Sequence, residues 1–165
     1  MNVMKLNPFE LTQQIPFSGL RQRALDVIMN LAIPFNRWLG FRILEASSEK
    51  VVVMSPPTKL RENHVGGAHA CALALMGEYA AGLCVAKHYG MTEYRLIIGQ
   101  LSIDYHKQGR GRLWAEALAP ETWPEVVEGE AWIEMTTQIQ NQKGESIATC
   151  RTKWQLKKWD KVRSS

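Results

Sequence analysis

The stretch Asn63-His-Val-Gly66-Gly67-Ala-His69 runs into Ala70–Gly82, ACALALMGEYAAG, where the one charged residue is Glu78. A carboxylate among small apolar side chains is costly to bury unless it is hydrated, paired or employed. Employed, it is a general base for water or a nucleophile, and burial raises its pKa toward neutrality. If Ala70 lies at or just inside the first turn of a helix, its N–H has no intrahelical acceptor and lies at the positive end of the dipole. Such an amide can hold a developing oxyanion, a contact worth about 3 kcal/mol of barrier. Each piece also has a plain structural reading: Gly66-Gly67 as a turn, Asn63 as a loop cap, and Glu78 as a hydrogen-bonded structural acid.

The elements that must position these residues follow from spacing. Phe17–Leu31 carries Leu20, Ala24, Val27, Ile28 and Leu31 at helical intervals, with Ser18 as N-cap and Pro34 as the stop, which predicts a packing helix over about 17–33. Arg37–Ala46 and Lys50–Pro56 read as a hairpin, and Thr58–His64 as a polar loop. A helix over about Ala68–His88 follows, with Gly90 at its C-cap. Strands are expected at Arg95–His106, Arg112–Ala119, Glu130–Gln140 and Ser146–Leu156, with turns at Gln108–Gly111 and Gln142–Glu145. Segregated helices and strands argue an α+β fold. The central helix is built of Ala and Gly, so a curved antiparallel sheet can wrap closely around it.

Composition narrows the class. The chain has 165 residues and a net charge of +4, fitting one domain over 1–165 with its core at about 37–156. Its longest uninterrupted apolar runs, Val51–Met54 and Ala70–Gly77, fall short of a bilayer span, and Met1–Glu10 does not read as a secretory leader. We therefore expect a cytoplasmic protein that does not insert in a membrane. Cys71, Cys84 and Cys150 show neither CxxC nor zinc spacing and read as buried small hydrophobes. Lys153, Lys157, Lys158, Lys161 and Arg163, with Trp154 and Trp159, form a basic tail. It reads as a solvated last strand with a frayed end, able to help hold a phosphorylated ligand, and not as a nucleic-acid site.

The pattern Asn63-x-x-Gly66-x-x-His69 with Glu78 nine residues on resembles the motif of hotdog-fold acyl-CoA thioesterases, in their PaaI-like branch and its DUF4442 group. The element order is similar over about Arg37–Leu156. Two glycines that follow the family histidine are Ala70 and Cys71 here, which keeps the backbone amides but crowds the approach. The family's strand Ser or Thr has Gln100 and Ser102 as its nearest counterparts. The resemblance implies hydrolysis of an acyl-CoA without metal or cofactor, with Glu78, Ala70, Asn63 and His69 as the catalytic set. Asn63 would help bind the carbonyl and His69 would orient Asn63, while His64 is expected exposed and His106 at a strand end. Gly66, Gly67, Cys71, Gly82 and Gln100 would border the substrate.

Ala70 and Glu78 lie eight residues apart, about 12 Å along one helix. Both cannot reach one carbonyl, since reacting groups sit about 3 Å from it. Two antiparallel copies of the helix remove the difficulty, so a homodimer with shared sites is expected, a tetramer being left open. The CoA phosphates need cations, and Lys107, Arg110 and Arg112 at one turn, with Lys59 and Arg61 before the motif, are the candidates. The alternative is a non-catalytic acyl or acyl-CoA binding module on the same fold.

Overall fold

The computed structural model describes residues 7–127 and 129–162, apart from the Lys161 side chain. Met1–Leu6, Arg163 and the Lys161 side chain, which enter the leader and basic-tail readings, lie outside the described residues. Three α-helices, α1 (Pro8–Gln13), α2 (Ser18–Ala32) and α3 (Ala70–Tyr89), accompany six strands. These are β1 (Arg42–Ala46), β2 (Lys50–Ser55), β3 (Tyr94–Tyr105), β4 (Leu113–Leu118), β5 (Glu130–Asn141) and β6 (Ser146–Lys158). They form one sheet in the order β1-β2-β4-β5-β6-β3, antiparallel at every pairing. The sheet curls around α3, which packs against all six strands: the hotdog fold.

Close packing explains the composition of α3. A Cβ on Gly77 would lie 2.5 Å from Cys150 Cβ, and one on Gly82 would lie 2.8 Å from the Trp154 ring. The strands answer with small inward residues, Ala115, Ala117 and Ala148, all fully buried. Thr137 Oγ1 donates to the Gly77 carbonyl at 3.1 Å, tying β5 to the middle of the helix. By length and composition α3 would pass for a membrane span, which uninterrupted apolar runs do not reveal because Glu78 divides it; 56% of that apolar window is buried inside the fold.

The strands and α3 lie within two or three residues of their expected bounds, except that β1 starts late because residues Pro34–Leu39 form a 3-10 turn. Two further expectations are corrected. Phe17, not Ser18, occupies the N-cap of α2, without a side-chain cap bond. The predicted packing stripe of α2 is not the buried one: Leu25, Asp26 and Met29 face inward, while Leu20, Val27 and Leu31 are exposed. Asp26 is the reason. Its Oδ1 accepts from Ile43 N at 2.7 Å and fixes the rotation of α2 on β1. Helix α1 was not expected; Asn7 caps it by accepting from Phe9 N.

Candidate active site

The motif loop is a cage of backbone bonds. Asn63 Oδ1 accepts from Val65 N and Gly67 N, both at 3.1 Å, and Asn63 N donates to Gly67 O at 2.8 Å. Gly66 has φ +72°, which requires glycine. The loop is pinned beyond itself where Ala68 N donates to Gly109 O and His69 N to Arg61 O, each at 2.7 Å. This loop delivers the chain into α3 at a fixed angle.

His69 is the N-cap of α3, and its Nδ1 accepts from Cys71 N at 3.1 Å. It therefore orders the helix end, and its partner is Cys71, not Asn63. Ala72 N and Leu73 N donate to His69 O at 2.9 and 3.1 Å. Of the first four amides, three are thus engaged, and only Ala70 N–H has no acceptor among the described residues. Ala70 is exposed and borders an open depression of ≈ 630 Å³ with Asn63, Tyr105, His106 and Lys107. Tyr105 OH donates to Ala70 O at 3.0 Å, a contact with no signal in the sequence.

Glu78 lies two turns further along. Burial alone pushes its carboxyl up to about 7; among the described residues no hydrogen bond or cation offsets that cost. It stands between two hollows. On one side is a cleft of ≈ 380 Å³ along β3, bordered by Ile98, Gly99, Gln100 and Leu101. On the other is an apolar cavity of ≈ 370 Å³ reaching under α2 and the 3-10 turn, with Met29, Ile33 and Asn36 in its wall. Leu75 and Glu78 border both. Gly82 borders the deeper cavity, where the Trp154 indole lies over its backbone and Glu78 Oε1 is close by.

Ala70 and Glu78 are not brought together within one chain; they border separate hollows. Between the N-terminus of α3 and Gly82 the less buried positions are Ala70, Cys71, Ala74, Leu75, Glu78 and Gly82, one stripe at helical spacing. Beside it, β3 is one of the two edge strands and exposes Ile97, Leu101 and Tyr105.

The cation cluster is largely committed elsewhere. Lys107 pairs with Glu145 at 2.8 Å, and Arg110 donates to Val65 O and Gln108 Oε1, both at 3.1 Å. Lys59 pairs with Glu62 at 2.8 Å. Arg61 is corrected outright as a ligand candidate, being 4% exposed. Its guanidinium donates to Ser55 Oγ at 2.7 Å and to the Gly111 carbonyl, clamping the loop to the sheet. Arg112 is exposed and pairs with no described residue. Gln100 pairs in register with Lys153 and Ser102 with Arg151, positions that alternate with Leu101 and Ile103. Cys84 and Cys150 are buried as expected, whereas Cys71 is exposed beside Ala70.

Known proteins share this architecture. A family model described as a domain of unknown function, DUF4442, matches residues 21–156. No curated protein matches the chain. Among solved structures, PA5026 from Pseudomonas aeruginosa, described as a probable thioesterase of unknown function, superposes with a TM-score of 0.69 at 20% identity, covering 79% of this chain and 91% of that one. The thioesterase HI1161 of Haemophilus influenzae gives a TM-score of 0.69 at 10% identity, over 84% and 94% of the two chains. The Escherichia coli PaaI protein of the phenylacetic acid degradation operon gives 0.62 at 17% identity, over 78% and 88%.

Proposed function

Because this chain belongs to the DUF4442 family and has the hotdog fold, we propose that it hydrolyses an acyl-CoA thioester to the free acid and CoA, as a dimer with shared sites. The observation that carries the reading is Glu78: an acid held near neutral pKa by burial, without a partner among the described residues, between two hollows. Its complement is the Ala70 N–H, the one unengaged amide of the helix end.

In this reading the thioester carbonyl accepts from Ala70 N–H of one copy, and Glu78 of the second copy takes a proton from water as that water attacks. The tetrahedral oxyanion stays on the amide while it forms. Collapse then breaks the C–S bond and expels the CoA thiolate, to which Glu78 returns the proton. A pKa near 7 suits a group that must accept and then release a proton at neutral pH. The stripe on α3 and the unpaired edge of β3 supply a self-complementary surface for a two-fold axis. Asn63 braces the loop through its Oδ1 and keeps its Nδ2 for the substrate, and Arg112 is the cation best placed for CoA phosphate. The same reading places the protein in the cytoplasm. The fold by itself does not assign an activity.

One observation favours a second reading, a non-catalytic acyl-CoA binder: Ala70 and Cys71 put side chains where the approach to the amides would be open with glycine. Release of free thiol from a panel of acyl-CoAs separates the two. Hydrolysis abolished by Glu78→Gln supports the enzyme. Tight binding without turnover over the whole panel overturns it in favour of the binder.

A further inference from the structure

The deeper cavity contains a polar group that the proposed chemistry does not use. Asn36 lies in the 3-10 turn after α2, is 3% exposed, and its Oδ1 is buried with no hydrogen-bond partner. It stands in the wall of the same cavity as Glu78, among Met29, Ile33, Leu83 and Met91. An amide oxygen left unpaired among aliphatic side chains is an unmet cost. As placed, Oδ1 is closed to the cavity, so a ligand meets it only when the amide turns about χ2, a soft two-fold torsion that can present either Oδ1 or Nδ2. A hydroxyl, which both donates and accepts, satisfies either orientation.

The position of Asn36 matters as much as its chemistry. Met29, Ile33 and Asn36 come from the segment before β1, so the cavity wall facing α3 is built by the N-terminal elements. At ≈ 370 Å³ the cavity is at the small end for a ligand pocket and has no cation in its lining. It therefore suits an acyl group and not a nucleotide.

Resting on the hydrolase reading above, we propose that this cavity takes the acyl chain and that the preferred substrate is a hydroxylated acyl group whose hydroxyl, remote from the thioester, pairs with Asn36. A site built to bond a hydroxyl discriminates strongly against the analogue lacking it, because its own polar group is then left unpaired. An apolar pocket would instead show only a weak preference.

The test compares octanoyl-CoA with hydroxyoctanoyl-CoA isomers carrying the hydroxyl at successive carbons, using wild type and Asn36→Leu. Wild type should favour one isomer over octanoyl-CoA by roughly tenfold or more in kcat/KM. In Asn36→Leu that ratio should fall to about one or below. The variant should melt no lower than wild type, since an unpaired buried amide is removed. Calorimetry with octanoic acid and the matching hydroxy acids reads the same preference without turnover. If no isomer is preferred, or the preference survives in Asn36→Leu, the proposal is overturned and Asn36 is satisfied by water. If nothing is hydrolysed but the hydroxy acid still binds better in an Asn36-dependent way, the cavity assignment stands and the hydrolase reading falls.

Discussion

Two acids set into the packing of this chain, Asp26 buried and Glu78 half-buried, have opposite surroundings. Asp26 on α2 meets a backbone amide of its own chain, Ile43 N, at 2.7 Å. Among the described residues Glu78 on α3 meets none, and the amide that would suit it, Ala70 N–H, is also without an acceptor. Burial raises the pKa of both, but the Ile43 bond and the nearby Arg42 work against the rise at Asp26, and nothing does so at Glu78. The first acid has its complement and holds a helix on a sheet. The second acid and its complement are separated by two turns of one helix, and in the proposed dimer a second copy and a substrate would bring them to one site. Burial alone does not mark a reactive group; burial without a partner does.

Removing each acid breaks the comparison in opposite directions. Glu78→Gln keeps size and shape but can neither take a proton nor attack, so kcat should fall by a factor of about 10² to 10⁴. KM should change little, and the variant should melt higher than wild type near neutral pH. Steady-state thiol release and thermal melts on one preparation read both. Ala70→Pro deletes the matching amide. Proline is favoured at the first helical position, and His69 at φ −63°, ψ 142° already has the backbone that precedes a proline. The fold should therefore survive while kcat drops about 10²- to 10³-fold.

The structural acid should behave otherwise. Asp26→Leu leaves Ile43 N–H buried and unpaired, which should cost about 1–3 kcal/mol of stability in a denaturant melt. Glu78 has the reverse sign. Its carboxyl titrates near 7 in the folded protein and at an ordinary 4.5 in the unfolded chain, so the unfolded chain releases its proton first as pH rises. Stability should therefore fall from about pH 4.5 through about pH 7, by up to about 3 kcal/mol, and Glu78→Gln should lack that slope. The smallest effect is expected at the surface. Arg112→Glu should raise KM for acyl-CoA a few-fold while sparing a short thioester without the nucleotide; equal effects on both would make Arg112 structural.

How much of this was legible in the sequence depends on how local each signal is. The run from about Ala68 to His88 showed the helix and its central place, because small residues on every face let a sheet close around it; the stripe it leaves open was not legible. Spacing alone also showed that Ala70 and Glu78 cannot meet in one chain. The orientation of α2 was not legible: helical periodicity pointed to Leu20, Val27 and Leu31, but the long-range bond from Asp26 to Ile43 turns those side chains outward. Arg61 looked like a loop cation because nothing nearby in sequence indicates Ser55 and Gly111 as its partners. Asn36 was hidden just ahead of a stretch that reads as a strand, in residues that fold as a 3-10 turn. What the sequence withholds is pairing across distance, and that pairing separates structural polar groups from unoccupied ones.

The central claim is that Glu78 of one copy and the Ala70 amide of another make one site. Co-expressing Ala70→Pro with Glu78→Gln under separate affinity tags and isolating the mixed dimer tests it directly. Each mixed dimer would contain one doubly damaged site and one intact site, so two nearly inactive variants should recover about half of wild-type turnover per dimer. A purified mixed dimer no more active than its two parents would contradict shared sites.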